Sequence, residues 1–160
     1  MRYVNKDLDI SLELPKGWVV MDDRDMLQKQ FNMTEEELEP KAFAIFKMGE
    51  GTQVLGYISA TVDIAIYETE KAYVFGLVTN KKQILESGSK IESEASGKTT
   101  AGDRTDKLVV STPDGKLVQH FVYINTILMC FSSALGANDA ELEAIVKSLQ
   151  VVETPGFFQE

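Results

Sequence analysis

Between residues 116 and 134 nearly every position is apolar, aromatic or β-branched, and both phases of a strand alternation are filled. Phe121, Tyr123, Ile127, Met129 and Phe131 stand on one phase, Val118, Val122, Ile124, Leu128 and Cys130 on the other. A strand that is apolar on both sides is covered on both sides, so this stretch reads as an interior strand pair turning near Asn125-Thr126. Leu135-Gly136-Ala137 then breaks the pattern. Asn138, with Glu141 three positions on, reads as a capping box for a helix carrying Leu142, Ile145, Val146 and Leu149 at helical spacing, and that stripe belongs on the sheet.

The remaining elements follow the same two periods. Residues 8–14 alternate apolar and polar, as a strand with one wet face does, and Pro15-Lys16-Gly17 turns the chain into a second extended run from Trp18 to Met21. Asp22 or Asp23 caps a short helix with Met26, Leu27, Gln30 and Phe31 on one face, and Thr34 with Glu37 opens another before Pro40. Residues 42–48 read as a strand, Gly49-Glu50-Gly51 as a hairpin turn, and 54–67 as a long strand bent near Gly56. Over 70–86, Tyr73, Val74, Leu77, Val78, Ile84 and Leu85 fall on one side of a helix, opposite Lys71, Lys81, Lys82 and Glu86, and Gly88 is placed to stop it. Residues 90–110 are polar and read as an exposed hairpin with its tip near Gly102-Asp103, and 150–152 as a short final strand. The fold class is α+β, mostly antiparallel, in one domain over 1–160.

Composition narrows the partners more than the chemistry. Hydrophobic residues make up 44% and charged residues 26% of 160, an ordinary balance for a chain that buries one core. With 25 acids against 16 bases the formal net charge is −9, so the field of the whole molecule repels phosphate backbones and anionic lipid, and neither nucleic acid nor membrane insertion is expected. Acids concentrate in two stretches: residues 22–50 hold eight against four bases and 137–160 five against one. A single cysteine excludes an internal disulfide framework and any cysteine-built metal site. The opening Met-Arg-Tyr-Val-Asn-Lys has no apolar secretory core, which gives a cytoplasmic expectation, or an extracytoplasmic one for a trimmed chain.

Reactive constellations are scarce. His120 is the only histidine, which removes every two-histidine mechanism. A hairpin turning about Asn125 would set His120 and Cys130 at equal distances from the turn, side by side; the plainer expectation is a core cysteine beside a hydrogen-bonded histidine. No glycine-rich phosphate loop is present, and Asp22-Asp23-Arg24-Asp25 carries a cation among its acids and lacks the frame of a calcium loop. No catalytic, metal or cofactor-binding residue is assigned, and no cofactor is expected. Trp18 is either a stacking platform or the plug at one end of the core. Phe157-Phe158, after Pro155-Gly156, either dock back on the domain or are offered to a partner.

Three stretches together resemble the PsbP-like superfamily: Leu14-Pro15-Lys16-Gly17-Trp18 after an opening strand, the hairpin ending Cys130-Phe131-Ser132-Ser133-Ala134, and the helix Ala144-Ile145-Val146-Lys147-Ser148-Leu149. That group includes photosystem PsbP proteins, Ran-binding Mog proteins, DcrB-like lipoproteins and small bacterial secretion-effector chaperones. The resemblance implies an antiparallel sheet between helices, an α/β/α sandwich, and roles in binding and assembly; it brings no catalytic residues. The expectation is a non-enzymatic protein-binding module, with Trp18, His120, Tyr123, Phe157 and Phe158 as candidate contacts and a homodimer as one possible assembly. The alternative is a ligand-binding or enzymatic domain whose pocket lies between helix 70–86 and the sheet, with His120 and Tyr123 inside it.

Overall fold

The computed structural model describes residues 1–23, 25, 28–29, 34, 43–51, 53–63, 65–136 and 138–152. The chain forms β1 (Arg2–Asn5), β2 (Ile10–Glu13), β3 (Trp18–Met21), β4 (Phe43–Met48) and β5 (Val54–Val62), then helix α1 (Glu70–Glu86). It continues through β6 (Lys90–Lys98), β7 (Arg104–Thr112), β8 (Gly115–Ile124), β9 (Ile127–Ala134), helix α2 (Asp139–Lys147) and β10 (Gln150–Val151). A seven-stranded antiparallel sheet runs β3-β4-β5-β9-β8-β7-β6, and a three-stranded one runs β1-β2-β10. The short helices expected after Asp22 fall, apart from Asp25, Gln28 and Lys29, outside the described residues. No helix among the described residues is long and apolar enough to cross a membrane.

The β8–β9 hairpin sits at the centre of the large sheet, as its double apolar phase requires. Its turn is Asn125-Thr126, both in the left-handed region at φ 51° and 63°, the mirror-type two-residue turn whose twist suits antiparallel strands. The residues sort across the turn differently from a simple odd-and-even reading. Ile124 pairs with Ile127, so Phe121 faces Cys130 and Val122 faces Met129. Phe121 and Leu128 therefore pack with Tyr73 and Leu77 of α1 and with Leu108 and Val110, and Cys130 packs against this group. Val118, Val122, Ile124, Met129 and Phe131 pack with Leu142, Ile145 and Val146 of α2.

The second group also takes in Ile10 and Leu12 of β2, so the small sheet and α2 close that face together. Asp9 and Glu13 keep the wet face expected for residues 8–14, with one exception. β2 lies between β1 and β10, and Ser11, on the polar phase, is buried. The four-residue β1 is too short to show a period and went unread. β5 ends at Val62, five residues short of the expected limit. The irregularity expected near Gly56 is a register shift, Lys47 pairing with Gly56 and Met48 with Val54, and Gly56 also marks a close approach: a Cβ on it would stand 2.6 Å from Asn138 Nδ2 and 3.1 Å from the Trp18 ring.

Thr126 is the strained member of the central turn. A β-branched residue is disfavoured at φ 63°, yet the turn is tied down at both residues: Asn125 Nδ2 donates to the Leu8 carbonyl at 3.1 Å, and the Thr126 carbonyl accepts the Tyr67 N–H at 2.8 Å. Thr126→Gly keeps that backbone bond and removes the strain, so it should stabilise the fold by about 1 kcal/mol, a rise of about 2–4 °C in the thermal midpoint. A lowered midpoint would contradict the strained-turn assignment.

Candidate functional site

Two clefts and one polar network hold the side chains that carry potential chemistry. The network joins α1 to the β6–β7 hairpin. Arg104 and Asp106, two apart on β7, share a face, and register sets Asp106 opposite Ser96. Asp106 Oδ2 accepts from Tyr73 Oη at 2.8 Å and Arg104 Nε at 3.0 Å, and Oδ1 from Ser96 Oγ at 2.6 Å and Arg104 Nη2 at 3.3 Å. Burial pushes the Asp106 carboxyl up, but the bonds from Arg104, Ser96 and Tyr73 together outweigh it and hold its pKa below the usual carboxylate value. The Tyr73 phenol is driven well above its ordinary value by burial first and by the Asp106 bond second.

The network extends along the aromatic side chains. Tyr73 stacks on Tyr123 with ring centroids 5.1 Å apart, and the Arg104 guanidinium lies 5.8 Å from the centre of the Tyr73 ring. Tyr123 Oη donates to the Tyr67 carbonyl at 2.6 Å, and Tyr67 Oη to Asp63 at 2.6 Å. Gly76 admits the Tyr67 ring, which would stand 2.6–2.8 Å from a Cβ there. Beside Asp106 a cleft of about 260 Å³ opens between α1 and the sheet, lined by Leu77, Lys81, Glu94, Ser96, Arg104 and Asp106 among others. It occupies the place expected for a ligand pocket, but neither His120 nor Tyr123 lines it. Its polar groups are already bonded to one another, Lys81 to Glu94 at 2.6 Å, so it offers a guest few free contacts.

His120 lies on the opposite side of the sheet. It pairs with Phe131 on β9 and Lys107 on β7 and lines a second cleft, of about 230 Å³, against α2. Cys130 belongs to the α1 side, so the His120–Cys130 dyad is not formed: a two-residue turn sends the two side chains to opposite faces. Burial raises the Cys130 thiol to about 12, which leaves negligible thiolate at neutral pH. His120 is only 4% exposed, and burial, then the Lys107 charge, lower its pKa to about 4 against smaller opposing effects of Glu143 and Asp139.

Trp18 is the plug of the core, buried beneath the start of α2. Its indole N–H donates to Glu141 Oε2, and Lys47 Nζ donates to Glu141 Oε1 at 2.8 Å. Those bonds, the lysine's first, hold the Glu141 pKa below its usual value. They also explain why the expected capping box is absent. Glu141 is committed to Trp18 and Lys47, Asn138 makes no side-chain cap, and Asp139 Oδ1 accepts the Gly136 N–H instead. Phe157 and Phe158 lie outside the described residues.

No protein-family model and no curated protein sequence matches this chain. Among solved structures, the solution structure of cyanobacterial PsbP (CyanoP) from Synechocystis sp. PCC 6803 superposes with a TM-score of 0.60, covering 94% of this chain and 91% of that one, at 9% sequence identity. The fold is PsbP-like. At that identity the likeness carries the architecture, and function has to be argued from the surfaces this PsbP-like chain presents.

The Asp106 network was missed in the sequence, although Arg104 and Asp106 at strand spacing were a signal; Ser96 and Tyr73 are too distant in the chain to be paired by pattern. Because His120 is the only histidine, its imidazole proton gives one titration curve by NMR. The midpoint should fall near 4. Since folding lowers this pKa, its contribution to stability is complete above the unfolded value of about 6.5 and is lost as pH falls from there toward 4. A midpoint at or above 6.5 would contradict the buried, neutral assignment.

Proposed function

We propose that this chain is a protein-binding module of the assembly or chaperone type, which docks its partner on the outward face of α1. The observation that carries the reading is Phe75, 77% exposed at the edge of a hollow of about 590 Å³ lined by Asp63, Tyr67, Gly76 and Asn80 among others. The sequence pattern sends Val78 and Leu85 inward, yet they are 54% and 57% exposed, and Tyr73, Gly76 and Leu77 alone are buried along the helix. A helix that is apolar on its solvent side as well as its core side has a second surface to bury. An exposed phenylalanine leaves about 1.5–3 kcal/mol of burial unrealised, and a partner recovers it.

Lys71 and Lys82 stand at helical spacing on the same side as Phe75. Glu86 shares that stripe and Asp63 lines the hollow, so the rim carries both signs of charge, and the partner suited to it is apolar at its centre with mixed charge at its rim. The same reading takes the molecule as an α/β/α sandwich. Its support is that α1 and α2 pack on alternate positions of β8 and β9. A domain with chemistry of its own is the weaker reading, because the only dyad in the sequence is split across the sheet and the cleft beneath α1 is filled by bonded pairs.

Affinity capture with wild type and Phe75→Ser tests the proposal. The substitution is at an exposed site and should change the thermal midpoint little, while the partner retained by wild type should be lost. Equal recovery of that partner by the variant, or sedimentation showing that Phe75 is consumed by a self-dimer, would count against a heterologous partner on this face.

A further inference from the structure

The seven-stranded sheet ends at β6, and that edge is open. Residues 92–98 are all exposed, and no backbone group of this stretch bonds outside β7 among the described residues. At the end of the strand the Thr99 N–H donates to the Asp103 carbonyl at 2.8 Å. Antiparallel bonding alternates from there, so Ser93, Ala95 and Gly97 bond inward to β7, while Glu94, Ser96 and Lys98 turn their N–H and C=O groups outward. The same three residues share the α1 face of the sheet, where Ser96 Oγ donates to Asp106 at 2.6 Å.

An open edge is normally guarded against pairing. β6 carries two guards, charged side chains and a bulge between Ile91 and Ser93, and together they leave one self-pairing favourable. Lys98 stands opposite Arg104 on β7 and has no carboxylate partner among the described residues, although like charges facing across a ladder destabilise it. Glu94 accepts from Lys81 at 2.6 Å through Oε2, and its other oxygen is unbonded among the described residues. Two copies of β6 laid antiparallel about a dyad at Ser96 set Glu94 of each against Lys98 of the other, on one face and beyond the bulge. A dyad at Glu94 instead opposes Glu94 to itself and Lys98 to Lys90. A dyad at Ala95 opposes Lys98 to Glu92, which the bulge turns to the other face, where it bridges Lys116 at 3.0 Å.

We infer that the chain forms a homodimer by adding β6 of a second copy to this edge, antiparallel and centred on Ser96. Each facing pair of outward residues exchanges two backbone bonds, and Lys98 gains the opposite charge that its own chain does not give it. Val78, 54% exposed, lines the cleft of α1 above Glu94 and Ser96, so pairing turns that flank of the helix toward its copy. Phe75 and its hollow lie on the other flank of α1 and take no part, so the dimer does not depend on the docking proposed above.

Sedimentation equilibrium of the full chain at concentrations up to about 1 mM is the test. A seam this small belongs to the weak, transient class of interfaces, and the mean mass should rise from the monomer toward twice that value with a midpoint of about 0.1 mM. Glu94→Lys and Lys98→Glu, both at exposed side chains, should each weaken association about tenfold, because like charges then face across the seam. An equimolar mixture of the two variants should recover the wild-type midpoint, since each opposes the charge of the other. Phe75→Ser should leave the midpoint unchanged, which separates this seam from the docking surface. A monomer at every concentration, single variants that dimerise as wild type does, a mixture that fails to recover, or a dimer dissolved by Phe75→Ser overturns the inference.

Discussion

The burial of the β8–β9 hairpin on both faces is the constraint from which the rest of the molecule follows. A strand pair with apolar side chains in both phases must be covered twice, and here Phe121 and Leu128 cluster with Tyr73 and Leu77, while Val118, Val122, Met129 and Phe131 cluster with Leu142, Ile145, Ile10 and Leu12. Fully burying a side chain such as Phe131 or Met129 contributes about 1.5–3 kcal/mol, so a bare face would cost more than a domain of this size has in reserve. Once the hairpin is sealed, its register decides the chemistry. A turn of two residues, Asn125-Thr126, sends His120 to one face and Cys130 to the other, and burial then makes the thiol inert and the imidazole neutral.

Two polar groups buried on opposite faces meet that burial differently. Asp106 keeps its charge because Arg104, Ser96 and Tyr73 fill both of its oxygens, a saturated network that stitches α1 to the β6–β7 hairpin. His120 has no such partners, and burial lowers its pKa so that it is neutral at physiological pH. The first arrangement is complete within the chain.

Sequence pattern revealed the elements where a single local period dominates. Helix 70–86 was legible to the residue, since Thr69 caps it through Ala72 N–H and Gly88 ends it, and the central hairpin announced itself by composition. What failed were inferences needing knowledge of distant partners. Glu141 looked like half of a capping box, but Trp18 and Lys47 take both of its oxygens. Asn-Thr is no common signature of a mirror-type turn, so the register that separates His120 from Cys130 was hidden. Phe75, Val78 and Leu85 show no clean stripe because α1 is apolar on more than one side, and all three are exposed. Of the candidate contacts, Trp18 is buried beneath α2, Tyr123 stacks on Tyr73 and His120 lines a cleft, while Phe157 and Phe158 lie outside the described residues.

Hydrogen exchange of the backbone amides tests the sealed hairpin most directly. Amides of Val118, Phe121, Val122, Leu128, Met129 and Phe131 should exchange only through global unfolding, with the same free energy as denaturant unfolding, while the exposed edge strand β6 exchanges through local opening. Central amides that exchange as fast as those of β6, at a free energy well below the global value, would show that one face of the hairpin is open and would contradict the account.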